Sequence, residues 1–190
     1  MTTPDGRGGP AGAAPGEAAP SEAAAQQVVA QLTARHQFVA VAESLTGGLL
    51  AAALASVPGA SVVFRGGIVA YATDLKASLL GVDQAVLDTC GAVSAETAQA
   101  MAEGVRARLG ATFGLATTGV AGPDPAEGKP VGTVYIAATR GDTGGGSRQT
   151  GERDDQIIRR LDLAGSRSDI RGQTVAEALA LLLVMMREET

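Results

Sequence analysis

The chain has 190 residues, 45% of them hydrophobic and 18% charged, which is enough apolar material for one domain with a core. A formal net charge of −5 argues against a broad nucleic-acid interface, because such an interface needs a basic patch. The chain has one cysteine, Cys90, and one histidine, His36, which excludes an intramolecular disulfide and predicts no metal site.

The N-terminal residues 1–21 are mainly Gly, Pro, Ala and Ser, and we expect a disordered leader there. They lack the basic start and the apolar stretch of a secretory signal, so the sequence predicts a cytoplasmic protein. The longest apolar run near the C-terminus, 178–186, is too short for a membrane span, which needs roughly 20 apolar residues. Residues 22–190 are predicted to form a single domain.

Hydrophobic periodicity predicts alternating helices and strands along this domain. The predicted helices cover about 21–35, 49–55, 74–80, 83–89, 95–109 and 168–188. The predicted strands cover 38–42, 62–71, 113–118, 131–139 and 159–163, and the glycine pair at 66–67 predicts a bulge or a close backbone approach in the second strand. Thr73 or Asp74, and Ser94, are predicted to cap helices, and residues 141–155 to form a mobile loop. This order of elements predicts a three-layer α/β/α sandwich with a mixed, mostly parallel sheet.

A hydroxyl, a carboxylate and two glycines lie at the first strand-to-helix junction, in Glu43-Ser44-Leu45-Thr46-Gly47-Gly48. Ligands of open α/β sheets collect outside the carboxyl ends of the strands, where a helix N-terminus offers N–H groups to anions or developing oxyanions. Ser44 therefore occupies a position suited to a nucleophile. A purely structural junction is an open alternative, because Ser and Thr are good N-caps and glycine pairs are common in sharp turns.

Two nucleotide-binding motifs are excluded by spacing. A Walker A loop needs four residues between its glycines, but Gly122 and Gly128 enclose five, and Pro130 follows Lys129. A dinucleotide fingerprint needs GxGxxG after the first strand, and residues 43–48 lack that spacing.

A serine nucleophile needs a base, and the lone histidine lies ahead of the first strand, away from its carboxyl end. The alternatives are the two lysines, Lys76 and Lys129, because arginine stays protonated. Lys76 follows a buried strand, which can bring it to the sheet edge where Ser44 lies, and burial would lower its pKa. The ordinary interpretations are an exposed helix lysine for Lys76 and a solvated loop lysine for Lys129.

Other candidate site residues also have ordinary structural alternatives. Tyr71 can hydrogen-bond between hydroxyl and amine, or keep its ring in the core with its tip in water. Segment 117–124 can offer N–H groups and hydroxyls to a ligand, or form a tight turn. Arg167 and Arg171, around the first turn of the last helix, suit phosphate or surface ion pairs.

Six segments in succession resemble the CinA C-terminal domain family. They are ESLTGG at 43–48, GGIVAYATDLKASLLGV at 66–82, GAVSAETAQAMAEGV at 91–105, TTGVAGPD at 117–124, KPVGTVYIA at 129–137 and SRSDIRGQTVAEALALLL at 166–183. The resemblance runs from about Ala23 to the C-terminus and is far more specific than any single motif.

Active members of that family are nicotinamide-nucleotide amidohydrolases, also called nicotinamide mononucleotide deamidases, which act in pyridine nucleotide salvage. The resemblance implies Ser44 as the nucleophile, Lys76 as the base and Tyr71 as a hydroxyl that orients or relays. It also implies a nicotinoyl ester on the serine, hydrolysed by water to nicotinic acid mononucleotide. The expected substrate-binding residues are Glu43, Thr46, Gly47, Gly48, Thr118, Gly119, Arg167 and Arg171. We expect the N–H groups of 46–48 to stabilise the oxyanion.

The resemblance implies no cofactor, a small nucleotide as the partner, and a homo-oligomer, expected to be a dimer. The chain departs from the family at Gly165-Ser166-Arg167, where Gly-Asp-Arg is usual, and in a longer loop at 141–155. It lacks the larger N-terminal domain of many relatives, so we expect a stand-alone form. The alternative function is a non-catalytic accessory protein in competence or DNA damage, acting through protein partners and not through direct DNA binding.

Overall fold

A computed structural model describes residues 20–141 and 155–187 of the chain. The helices are α1 Pro20–Arg35, α2 Leu49–Ala55, α3 Thr73–Leu80, α4 Gln84–Cys90, α5 Ala95–Leu109 and α6 Arg167–Arg187. The strands are β1 Val39–Glu43, β2 Phe64–Val69, β3 Phe113–Gly119, β4 Thr133–Arg140 and β5 Gln156–Asp162. A 3₁₀ turn at Ala60–Val62 lies between α2 and β2.

The strands form one sheet in the order β2-β1-β3-β4-β5. β1 pairs in parallel with both β2 and β3, whereas β4 pairs antiparallel with both β3 and β5. In the described part of the chain, β4 is thus the one strand that runs against the others. The predicted mixed, mostly parallel sheet is confirmed.

Helices cover both faces of the sheet, and each face has its own hydrophobic core. Side chains alternate along β1, so Val39 and Val41 pack with α1, α2 and α6, while Ala40 and Ala42 pack with α3, α4 and α5. All five residues of β1 are buried, as expected for a central strand covered on both sides. This arrangement confirms the predicted three-layer α/β/α sandwich.

Small residues bring α5 close to the sheet and to α3. A Cβ added at Gly114 of β3 would overlap the carbonyl oxygen of Ala102 in α5. A Cβ added at Gly104 of α5 would overlap the carbonyl oxygen of Leu80 at the end of α3. Since α3 carries Lys76, this close packing fixes the position of that lysine relative to the sheet.

The topology creates a crevice at the carboxyl ends of β1 and β3. After β1 the chain continues to β2 on one side, and after β3 it continues to β4 on the other side. Loops that leave neighbouring parallel strands in opposite directions leave a cleft between them, the usual ligand site of open α/β sheets. Ser44 follows β1 and Val120 follows β3 at this cleft.

Local predictions were confirmed at two places and wrong at one. Ser94 caps α5 by accepting a hydrogen bond from the Thr97 N–H, and the pairing of β1 with β2 shifts register between Val39 and Ala40, which places a bulge directly before the glycine pair and confirms the first of the two predicted alternatives. The predicted cap of α3 is wrong. Ala72 is the N-cap there, no side chain caps the helix, and α3 begins at Thr73.

Two predicted segments fall wholly or mainly outside the described residues. Residues 1–19 of the expected leader lie outside them, whereas Pro20 and Ser21 belong to α1. Residues 142–154 of the expected loop also lie outside them. β5 begins at Gln156, before the predicted 159, because its ladder with β4 extends to Thr139.

The close packing of α5 predicts opposite effects for two helix glycines. Gly104→Ala should lower the free energy of unfolding by about 1–3 kcal/mol, because its methyl group meets the Leu80 carbonyl. Gly172→Ala in α6 should raise it by about 0.5–1 kcal/mol, because nothing lies within 4 Å of an added Cβ there. Urea unfolding of both variants measures this, and equal effects would contradict the packing argument.

Candidate active site

Ser44 lies directly beyond the end of β1, and its position is fixed by the neighbouring strand. Its N–H donates to the Thr117 carbonyl of β3 at 3.0 Å, which continues the parallel ladder by one residue. The side chain is half-buried and lines a cavity of about 240 Å³. Strand pairing therefore presents a hydroxyl to an open cavity at the topological switch point.

Lys76 approaches this hydroxyl from α3. Its Nζ lies 3.1 Å from Ser44 Oγ and donates to the Ala70 carbonyl at 2.9 Å, and the side chain is 1% exposed. Burial lowers the pKa of Lys76, while the negative charges of Glu127 and Asp74 partly oppose this effect. A lysine with a lowered pKa is more readily neutral and can then accept a proton from the serine.

Lys129, the other candidate base, lies outside the residues that line the cavity. It is half-buried in the loop after β3, where its backbone forms an isolated bridge with Ala126. Of the two lysines, the fold thus brings only Lys76 to the serine.

Glu43 holds the start of α2. Its buried carboxylate accepts hydrogen bonds from the N–H groups of Gly48 at 2.9 Å, Leu50 at 3.1 Å and Ala51 at 2.8 Å. The N-cap residue Gly48 has a left-handed conformation with φ 99° and no side-chain cap. The interpretations of Glu43 as a substrate ligand and of Ser44 as a helix cap are therefore not supported by the geometry.

Thr46 and Arg171 support the loop from inside. The Thr46 hydroxyl is fully buried and lies 2.8 Å from the Thr117 hydroxyl. The Arg171 guanidinium donates to the Leu45 carbonyl at 2.9 Å and to the Thr46 carbonyl at 2.7 Å. Neither residue lines the cavity, and both side chains are engaged with the loop itself, so their expected role in substrate binding stays a prediction.

The two glycines of the loop also lie outside the cavity lining. Gly47 has φ 57° and places Arg171 Nη2 at 3.2 Å from where a Cβ would stand, so a side chain is disfavoured there. The Gly47 N–H donates to the Ser44 carbonyl at 3.1 Å, and the Gly48 N–H donates to Glu43. These two N–H groups, predicted to bind an oxyanion, are thus already engaged.

Tyr71 and Arg167 form one rim of the cavity. Arg167 Nη2 donates to the Tyr71 hydroxyl at 2.6 Å, and Nη1 donates to the Gly122 carbonyl at 2.6 Å. Both side chains line the cavity and are exposed. Within the described residues, the Tyr71 hydroxyl is bound to Arg167 and to neither Ser44 nor Lys76, so its predicted role as a relay is not supported by this geometry.

The Ala92-Val93 segment forms another part of the cavity wall. The buried Thr118 hydroxyl donates to the Ala92 carbonyl at 2.6 Å, and the Val93 N–H donates to Glu127 Oε2 at 3.1 Å. Thr118 and its neighbour Gly119 both line the cavity, as the sequence predicted. The Thr118 hydroxyl, however, is used to anchor this wall.

Two acidic residues of the cavity, Asp124 and Glu127, were missed by the sequence analysis. Both lie in the loop that follows β3, at the same sheet edge as Ser44, and that position was the available signal.

Among residues 20–141 and 155–187, no group of three or more His, Cys, Asp and Glu side chains could hold a metal ion. In the same ranges, no helix is long and apolar enough to cross a membrane.

The Glu43 contacts predict a large effect of removing one charge without changing size. Glu43→Gln should lower the free energy of unfolding by at least about 2 kcal/mol, because a carboxamide places an NH₂ group against backbone donors. Asp83→Asn is the matched control, because this exposed cap of α4 accepts one N–H and should change stability by less than about 0.5 kcal/mol. Equal losses in urea unfolding would show that Glu43 is not the anchor of the loop.

Comparisons with known proteins agree with this architecture. The family model of the CinA C-terminal domain matches residues 21–186. A CinA-like protein of Frankia casuarinae is 54% identical over 155 residues, covering 82% of this chain and 33% of that protein. A putative competence-damage inducible protein of Desulforamulus reducens is 50% identical over 143 residues, covering 75% of this chain and 32% of that protein. The chain thus spans about a third of the length of these curated relatives.

Solved structures share this fold over most of the chain. The competence/damage inducible protein CihA of Agrobacterium tumefaciens has a TM-score of 0.79 at 34% identity, covering 90% of this chain and 97% of that one. A CinA superfamily protein of Escherichia coli has a TM-score of 0.78 at 30% identity, covering 87% and 90%. Fold, sequence identity and the family model agree, and the chain belongs to the CinA C-terminal domain family.

Proposed function

We propose that this protein hydrolyses the carboxamide of nicotinamide mononucleotide to nicotinic acid mononucleotide and ammonia. The observation that carries the proposal is the buried amine of Lys76, 3.1 Å from the Ser44 hydroxyl that lines the cavity. A hydroxyl beside an amine of lowered pKa suits acyl transfer, and the family resemblance supplies the amide.

The first half of the reaction acylates the serine. Neutral Lys76 accepts the proton of Ser44 Oγ while its own N–H stays bound to the Ala70 carbonyl, which orients the amine. Ser44 Oγ attacks the amide carbon and forms a tetrahedral oxyanion. When the C–N bond breaks, protonated Lys76 gives its proton to the leaving nitrogen, which departs as ammonia.

The second half releases the acid. Water takes the place of ammonia, Lys76 accepts one of its protons, and the hydroxide attacks the nicotinoyl ester. The ester C–O bond breaks, the proton on Lys76 returns to Ser44 Oγ, and nicotinic acid mononucleotide leaves. The lysine thus acts as base and acid in both halves.

Substrate recognition is assigned to the cavity walls. Arg167 lies at the rim, and its remaining N–H groups suit the phosphate of a nucleotide. Tyr71 holds Arg167 in place through their hydrogen bond. Thr118 and Gly119 line the cavity, and we assign to them the contact with the nicotinamide ring. Arg171 has no role in phosphate binding in this proposal, because its guanidinium faces the loop carbonyls.

Ammonia release tests the proposal. The protein should release one ammonia per nicotinamide mononucleotide consumed, and both Ser44→Ala and Lys76→Met should lower kcat by at least about 10³-fold. Lys129→Met is the matched control, because it removes the other lysine, outside the cavity, and should keep kcat within about twofold.

The outcomes separate the alternatives. No ammonia from the wild type would refute the deamidase proposal and leave two alternatives, hydrolysis of a different amide or nucleotide and a non-catalytic role. Loss of activity in Lys129→Met with activity retained in Lys76→Met would show that Lys129, and not Lys76, is the base.

The pH profile tests the state of Lys76. Because the neutral amine is the base, kcat/KM should rise with pH as Lys76 loses its proton, and burial places this rise below the ordinary lysine value of 10.5. Asp74 raises the pKa of Lys76 and does not line the cavity, so Asp74→Asn should move the rise to lower pH. A shift to higher pH would exclude Lys76 as the titrating group.

A further inference from the structure

We propose that Glu127 selects ligands with a positively charged ring, and that it distinguishes the cationic pyridinium of nicotinamide mononucleotide from the neutral ring of the reduced form. The inference rests on the proposed deamidase function and deepens it by naming the feature of the substrate that this carboxylate recognises. It makes Glu127 a specificity-determining residue of the cavity that Ser44 and Lys76 line.

The Glu127 carboxylate is held at the cavity by a contact with another segment of the chain. Its Oε2 accepts the Val93 N–H at 3.1 Å, and both residues line the cavity. Gly91 makes room for this contact, because an added Cβ there would lie 2.6 Å from Oε2. Oε1 accepts no hydrogen bond from the described residues, and Glu127 forms no ion pair with any of them. One oxygen thus fixes the carboxylate, while its charge stays available to a ligand.

The backbone conformation at Glu127 is unusual for a glutamate. Glu127 has φ 51° and Gly128 has φ 69°, and they lie between Ala126 and Lys129, whose N–H groups and carbonyls bind each other. Two successive positive φ angles are typical of a turn that favours Asn, Asp and Gly. A glutamate in this conformation costs free energy, and such conformations cluster at ligand sites. The presence of a glutamate is therefore better explained by its side chain than by the turn.

The other charges of the cavity indicate what this side chain does. Lys76 and Arg167 line the same cavity, and their positive charges would repel a cationic ring. Burial is the main influence on the pKa of Lys76 and lowers it, and Glu127 has the larger effect of the two carboxylates that oppose burial. Asp124 also lines the cavity but is not among the charges that shift this pKa. Glu127 is therefore the cavity carboxylate that offsets positive charge beside Ser44.

The charges of nicotinamide mononucleotide match this distribution. Its phosphate is negative and suits Arg167 at the rim. Its aromatic ring nitrogen is bonded to ribose and therefore carries a positive charge. The reacting carboxamide is attached to that ring, so the ring lies near Lys76 when the amide carbon reaches Ser44 Oγ, and the charge of Glu127 acts there. Opposite charges on ligand and site favour this ligand over a neutral one.

Reduction of the ring provides a probe of nearly the same shape. The reduced nucleotide has gained one hydride and lost the ring charge, and it keeps the ribose, the phosphate and the carboxamide. Isothermal titration calorimetry in the Ser44→Ala variant measures the binding of both forms without turnover. The oxidised form should bind about fivefold more tightly than the reduced form, because a carboxylate partly exposed to water attracts a nearby cation only moderately.

Adding Glu127→Gln to Ser44→Ala should remove this preference by weakening the binding of the oxidised form alone. The carboxamide keeps an acceptor for the Val93 N–H but has no charge. Glu127→Gly, which suits the positive φ, removes the charge by a second route and should have the same effect on the preference. Asp74→Asn is the matched control, because this carboxylate also acts on Lys76 but lies outside the cavity lining, and the preference should persist. Thermal unfolding of each variant checks the fold.

The binding data and the ammonia assay separate this inference from the deamidase proposal. Equal binding of the two forms in Ser44→Ala, binding of neither form, or a preference that persists without the Glu127 charge would overturn the inference. An equal loss of affinity for both forms in Glu127→Gln would also overturn it, because a purely structural contact with Val93 predicts that result. If the preference depends on Glu127 but the wild type releases no ammonia, the deamidase proposal alone fails. If the wild type releases ammonia without this preference, only the Glu127 inference fails.

Discussion

The buried carboxylate of Glu43 is the interaction on which the site depends. In most helices a Ser, Thr, Asp or Asn side chain caps the first turn, and that hydroxyl or carboxylate is then unavailable for chemistry. Here Glu43 reaches forward from the end of β1 and accepts three N–H groups at the start of α2. The hydroxyl of Ser44 is left to contact Lys76. The unpaired N–H groups at the start of α2 are thus bound by a residue of the preceding strand and not by a residue of the junction itself.

The second requirement is a buried amine, and the fold supplies it through close packing. Charged lysines are rarely buried, because removing the ammonium from water is costly. Lys76 is held 1% exposed by the close contact of α3 with α5, which a glycine permits. The Ala70 carbonyl accepts one hydrogen bond from Lys76 Nζ, and the Ser44 hydroxyl oxygen accepts another. The fold therefore accepts a cost in stability to place an amine of lowered pKa, the proposed base, beside the Ser44 hydroxyl.

The sequence predicted the layered fold and the meeting of Ser44 with Lys76, because adjacent parallel strands end at one sheet edge. It did not predict that the Glu43 carboxylate turns to the start of α2. All residues of β1 are buried, so the pattern of polar and apolar residues does not show on which side this carboxylate lies. It also could not separate Arg167 from Arg171. These lie one helical turn apart on α6, and only the placement of that helix sends one to the cavity rim and the other to the loop.

The reversed direction of β4 has a consequence for where the chain tolerates change. Because β4 runs against β3, its last residue, Arg140, pairs with the first residue of β3, Phe113. The two ends of the connection from β4 to β5 meet there, where the Arg140 N–H donates to the Asp155 carbonyl at 2.8 Å. Ser44 lies at the other edge of the sheet, beyond the carboxyl end of β1. The two anchored ends of this connection therefore lie a strand length away from Ser44, so residues added between them enter the chain at the sheet edge that does not carry the cavity.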